Sequence, residues 1–144
     1  VEVMGVGDLL THLARCCSPV PGDEIIGFIT RTKGVTVHRK DCVNVTNVWE
    51  KERLIKVNWG RGRQRAYPVA VHIEAWDRVG LIRDISTLVS AEKSNIVSVN
   101  THQPDNSAIG IDLIFETTGM EQLSRILSRL EAIPGVQTVA RNVH

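Results

Sequence analysis

The residues best equipped for chemistry are three cysteines, Cys16, Cys17 and Cys42, and one histidine, His38, all within residues 15–44. His38-x-x-x-Cys42 is a spacing at which two side chains meet on one metal ion, and zinc wants four ligands of this Cys/His type. Cys16 or Cys17 would supply a third. Adjacent residues of a helix point about 100° apart, so both reach one ion only if the helix has ended there. Otherwise Asp41, Asp23 or water must complete the set. Two further readings stay open beside zinc. The cysteines also suit small buried hydrophobes at a helix end, with His38 a hydrogen-bonded strand residue. The third is a thiolate nucleophile, since Arg15, Arg39 and Lys40 are placed to depress a cysteine pKa, although no general base is specified.

The elements around these residues follow from pattern. Residues 1–6 are strand-like. Asp8 is a good N-cap for a helix over residues 8–15, with Leu9, Leu10 and Leu13 on one apolar face. Pro19, Pro21 and Gly22 end that helix. A β-hairpin over residues 24–30 and 35–39, turning at 31–34, brings the two cysteine clusters together. Ile26, Phe28 and Thr30 share one of its faces, and Ile25, Gly27 and Ile29 the other. Asp41 is placed to cap a second helix over residues 42–52, against the weak helix preference of Val43, Val45, Thr46 and Val48. Residues 54–59 alternate as a closing strand.

Charge divides the chain. Residues 1–65 hold eleven Lys/Arg against seven Asp/Glu, whereas residues 66–144 hold six against nine. That asymmetry points to an anionic partner, such as RNA, for the first half only. Arg15, Arg31, Lys33, Arg39 and Lys40 are the RNA-contact candidates, with Arg31 and Lys33 at the hairpin tip. Residues 60–65 (Gly-Arg-Gly-Arg-Gln-Arg) read as a flexible basic linker. The expected division is therefore a cysteine-containing domain over 1–59, a linker over 60–65 and a second domain over 66–144.

The second domain reads as β-α-β-β-α-β. Val69, Val71 and Ile73 alternate in a first strand, and Leu81, Ile85, Leu88 and Val89 stripe a helix over 81–92. Strands follow over 96–102 and 108–117, with a turn at 104–107 between them. Leu123, Ile126, Leu127 and Leu130 stripe a last helix over 120–132, and Pro134-Gly135 leads into a strand over 136–142. The implied class is α+β: a small cysteine-containing α/β domain, then a ferredoxin-like sandwich of two helices on one face of an antiparallel sheet. No catalytic constellation is present there, and His72 and His102 read as surface histidines. The loop Asp77-Arg78-Val79-Gly80-Leu81 joins strand to helix, and its glycine would let an amino-acid carboxylate approach the helix N-terminus.

At this point the chain resembles a known family. W-D-R-V-G-L-I-R-D-I-S, N-I-V-S-V-N and P-G-V-x-x-V-x-R resemble an ACT domain. C-C-S-P-V-P-G-D…G-V-T-V-H-R-K-D-C-V-N resembles the cysteine-containing (zinc-finger or ribosome-intersubunit) domain of long Rel/SpoT-type proteins. Val43 departs from that string, which often has proline there. The resemblance implies a parent enzyme that makes and hydrolyses (p)ppGpp in the stringent response. This pair of domains would then be a non-catalytic regulatory module that contacts ribosome and ribosomal RNA and controls the catalytic domains of the parent chain. Cys16, Cys17, His38 and Cys42 match the family's cysteine/histidine motif. An amino-acid ligand and a homodimer are the further partners implied. No apolar run approaches the roughly 18 residues of a membrane span, and unpaired clustered cysteines suit a reducing, cytoplasmic setting.

Overall fold

The computed structural model describes residues 2–3, 10–32, 34–59 and 66–141. The chain forms two compact units, residues 1–64 with 143–144, and residues 65–142. The basic linker expected at 60–65 lies outside the described residues.

In the first unit the hairpin forms as strands β3 (Ile25–Ile29) and β4 (Val35–Arg39), paired antiparallel from Ile25–Arg39 to Ile29–Val35. Two-residue periodicity gives the sheet a core on each face. Ile25, Val35, Val37 and Val57 pack one face, with Leu13, Ile29, Ile55 and Trp59 against them. Ala14, Cys17, Cys42 and Val45 pack the other, with Cys16, Ile26 and Leu54.

The helix expected over residues 8–15 does not form in its described part. Thr11–Leu13 is instead a strand, β2, that lies parallel to β4. Its backbone is satisfied across the ladder: Val35 N donates to Leu10 O at 2.8 Å and Ala14 N to Val37 O at 2.8 Å. Leu10 is 66% exposed rather than on a core-facing stripe. The free edge of β4 outcompetes local helix preference, which is weak over so few residues. Gly34 makes this possible: it sits at φ +81°, and a Cβ there would run into Leu10 O.

The second expected helix shrinks to one turn, α1 (Val43–Thr46), followed by a 3-10 turn at Lys51–Arg53. Its N-cap is Cys42 without a side-chain cap, and Asp41 bonds Arg39 instead of capping. Four β-branched residues among 43–48 account for the short run. The closing strand divides: β5 (Leu54–Ile55) joins β3, and β6 (Val57–Asn58) joins β1 (Glu2–Val3).

The second unit is the ferredoxin-like sandwich. Strands β7 (Tyr67–Trp76), β8 (Ile96–His102), β9 (Ala108–Thr117) and β10 (Val136–Arg141) pair antiparallel in the order β10-β7-β9-β8. Helices α2 (Leu81–Ala91) and α3 (Met120–Glu131) connect them. Val69, Val71, Ile73 and Ala75 of β7 and Ile109, Ile111, Leu113 and Phe115 of β9 are buried, as are Leu81, Ile85 and Val89 of α2 and Leu123, Ile126 and Leu130 of α3. Apart from Gly110, the alternate strand residues of β7 and β9 stay half-buried or exposed, so both helices cover one face. No helix of the described residues is long and apolar enough to cross a membrane.

Candidate metal centre

Because residues 11–13 are a strand, Cys16 and Cys17 lie in a turn rather than on a helix. Ser18 N closes that turn onto Ala14 O at 3.1 Å, and Ser18 itself takes φ +46°. The roughly 100° divergence of helical neighbours therefore does not apply, and both thiols face the same point. His38 reaches it from β4, on the face opposite Val37. Cys42 reaches it from the extended residue that starts α1 (φ −65°, ψ 131°).

The four donor atoms lie within 4.8 Å of one another. Cys16 Sγ is 3.4 Å from His38 Nδ1, 3.5 Å from Cys42 Sγ and 4.0 Å from Cys17 Sγ. Cys17 Sγ is 3.9 Å from His38 Nδ1. Metal–ligand lengths of about 2.3 Å to sulfur and about 2.0 Å to nitrogen imply tetrahedral edges of roughly 3.5–3.8 Å. The donor set is thus already close to the shape of a Cys3His site. Cys17 and Cys42 are fully buried, and no disulfide forms among the three cysteines.

Electrostatics separates the open readings. Burial pushes the Cys17 thiol up to about 12, only partly offset by the Arg39 backbone N–H that donates to its sulfur at 3.3 Å. Burial raises Cys42 too, and lowers His38. Two of the three sulfurs are thus uncharged thiols at neutral pH beside a neutral imidazole, which is the opposite of what an activated nucleophile needs. A divalent cation would invert this balance, since thiolates and neutral imidazole are its ligands.

The RNA-contact candidates take different positions. Arg15 and Lys40 are exposed. Arg31 is 79% exposed and 3.7 Å from Glu50. Lys33 lies outside the described residues. Arg39 differs from the exposed candidates: its side chain keeps 14% exposure and turns to Asp41 at 2.8 Å and Asp23 at 4.0 Å, so it offers little of its cation to solvent. The signal was available, because Arg39 continues the alternation of Val35 and Val37 on the buried face.

The ligand loop of the second unit is pinned by its own side chains. Asp77 accepts from Gln103 Nε2 at 2.7 Å. Arg78 donates to Pro134 O at 2.9 Å, to Val79 O at 3.1 Å and to Asp84 at 2.7 Å. That pair holds the Asp84 carboxyl below the usual carboxylate range. Val79 is 99% exposed and Gly80 takes φ +85° at the N-cap of α2. Leu81 is 2% exposed and its side chain belongs to the core.

A family model for the ACT domain matches residues 63–141, more than half of the chain. The chain belongs to the ACT domain family. A second family model, the RelA/SpoT RIS domain, matches residues 1–60, and the two units are called the RIS and ACT units below. Among curated relatives, the GTP pyrophosphokinase of Escherichia coli (strain K12) is 40% identical over 147 residues, covering 100% of this chain and 20% of its own length. The GTP pyrophosphokinase of Streptomyces coelicolor is 39% identical over 142 residues, covering 98% of this chain and 17% of its own. The chain thus spans about a fifth of the length of the curated relatives it matches. Among solved structures, the ACT domain from the GTP pyrophosphokinase of Chlorobium tepidum is 21% identical with a TM-score of 0.47, covering 54% of this chain and 99% of that one.

Proposed function

We propose that this chain is a non-catalytic regulatory module of a (p)ppGpp synthetase/hydrolase of the GTP pyrophosphokinase type. In this reading its RIS unit is a zinc-braced platform for ribosomal RNA. The observation that carries it is the convergence of Cys16, Cys17, His38 and Cys42, two of them fully buried, with donor atoms 3.4–4.0 Å apart in the closest pairs. Four protein ligands leave no open position, which suits a structural ion rather than a catalytic one. When bound, zinc would cross-link the Cys16–Cys17 turn to β4 and the start of α1. The exposed cations Arg15, Arg31 and Lys40, with Lys33 beside them in sequence, would meet phosphates. The ACT unit would transmit the docked state, or that of a second copy, to the catalytic domains of the parent enzyme in the cytoplasm. Its amino-acid-sensing role draws no support from the Asp77–Gly80 loop, whose polar side chains are engaged within the fold.

The test has two arms. Metal analysis of chain purified without chelator should find zinc in the wild type and none in Cys42→Ser. Ribosome sedimentation at stated salt should lose bound chain when Arg31 and Lys40 become Glu, and equal sedimentation of both proteins would remove the RNA assignment while leaving the zinc one.

A further inference from the structure

We propose that Arg39 is the positioning residue of the metal centre, clamping its two cysteine-bearing segments together through Asp23 and Asp41. The inference rests on the zinc reading above and adds residues outside the ligand set. Arg39 follows His38 directly, and the strand alternation sends its side chain to the opposite face of the sheet. From there it meets two carboxylates of different origin. Asp41 Oδ2 accepts from Arg39 Nη2 at 2.8 Å and stands immediately before Cys42. Asp23 Oδ1 lies 4.0 Å from Arg39 Nε, and Asp23 Oδ2 accepts from Val20 N at 2.8 Å, three residues after Cys17. A continuous path of polar contacts thus runs from the segment after Cys17, through Asp23 and Arg39, to the segment before Cys42. The Arg39 backbone adds a direct link, donating its N–H to Cys17 Sγ at 3.3 Å.

Burial gives the clamp its force. The Asp23 and Arg39 side chains keep 7% and 14% exposure, so their attraction is little screened by water or salt. Arg39 Nη1 is buried without an acceptor among the described residues. An arginine that only decorated the sheet would swing this donor out to solvent. Asp23 is anchored further, since its carbonyl accepts the Trp59 indole N–H at 3.0 Å. Outer-shell contacts of this kind fix ligand orientation and slow metal escape, and their loss typically weakens a site about 10–100-fold.

The measurement is the rate of zinc release from the 144-residue chain to a chromogenic chelator. Arg39→Gln keeps a polar side chain but removes the charge and the guanidinium, and it should release zinc about 10–100-fold faster than wild type. Arg39→Lys should fall between the two, because it keeps the charge but loses the fork. Asp41→Asn, at a 63% exposed side chain, should accelerate release less than Arg39→Gln does. Val35→Ala, a core truncation on the same sheet, serves as a control for general loss of stability. It should release zinc clearly more slowly than Arg39→Gln even where its melting temperature falls as far. Release from Val35→Ala as fast as from Arg39→Gln would overturn the clamp, as would a wild-type rate in Arg39→Gln. If Arg39→Gln fails to fold, an unchanged rate in Asp41→Asn overturns it instead. Wild-type chain without zinc would overturn both this inference and the zinc reading, whereas zinc present with release indifferent to Arg39 overturns this inference alone.

Discussion

The two units are similar in length but hold themselves together differently. In the ACT unit the strands run to ten residues and the helices to eleven and twelve. Its fully buried side chains include Phe115, Ile73, Leu81, Ile85, Ile111, Leu113, Leu123, Ile126 and Leu130. Among the described residues of the RIS unit no strand exceeds five residues, and the largest fully buried side chains are valines: Val20, Val35 and Val37. Its core is also divided between two faces of one small sheet. Domains of about 60 residues bury too little surface for comfortable stability, and metals or disulfides often make up the difference. The cysteines and His38 sit where such a brace would matter, at the meeting of the turn after β2, the end of β4 and the start of α1. On the zinc reading, the contrast is between a unit held by its core and one that needs a cross-link.

The largest effect should come from removing that cross-link. Binding of structural zinc in finger peptides is worth about 10 kcal/mol or more, which exceeds the whole stability of a small domain. Chelation, or Cys42→Ser, should therefore abolish amide protection across β3 and β4 while leaving β7 and β9 protected. Site-resolved hydrogen exchange reads both units at once. Protection of β3 and β4 that survives chelation would make the RIS unit a core-stabilised fold like its neighbour, and the comparison would collapse.

The reciprocal experiment is smaller. Phe115 is fully buried at the centre of the ACT sandwich, and Phe→Ala in such a place costs about 3–5 kcal/mol. Phe115→Ala should lower the melting temperature of the ACT unit and weaken protection in β7 and β9, with the zinc content of the chain unchanged. Zinc lost together with ACT protection would show that the two units do not stand independently.

The same contrast explains what could be read from the residues alone. The ACT unit follows from long periodic segments: Ile109, Ile111, Leu113 and Phe115 alternate, and Leu123, Ile126 and Leu130 recur at helical spacing, so each element declares itself locally. The RIS unit depends on pairings between distant residues. Residues 11–13 become a strand only because β4, more than twenty residues on, offers a free edge and Gly34 admits the approach. The four cysteine and histidine residues were legible by type and spacing. How two neighbouring cysteines face one point was not, because it turns on that misread strand. Arg39 was legible by alternation, but its charge argued for the surface, and only the position of Asp23 resolves the conflict. The pairing of His72 with Asp112 was out of reach, since it depends on the register between β7 and β9.

That last pair offers the smallest and most specific contrast between the units. In the RIS unit burial pushes His38 down, whereas in the ACT unit His72 sits on the open face of the sheet between two carboxylates. Its Nε2 is 2.6 Å from Glu74 Oε1 and its Nδ1 is 2.7 Å from Asp112 Oδ1. Hydrogen bonding to Glu74 raises its pKa above 6.5, followed by that to Asp112, with burial opposing. A group whose folded pKa lies above its unfolded value adds stability that is complete below the unfolded pKa, about 6.5. That stability is lost as pH rises through the higher folded value. The ACT unit should therefore melt at a higher temperature near pH 6 than near pH 8 by more in the wild type than in His72→Gln. With the side chain 37% exposed, the difference is small and should shrink further in about 1 M salt, where exposed charges are screened within about 3 Å. Equal pH dependence in the two proteins would mean that the imidazolium gains nothing from its carboxylates, and that the open face of the ACT sheet is as indifferent to charge as its covered face is dependent on apolar packing.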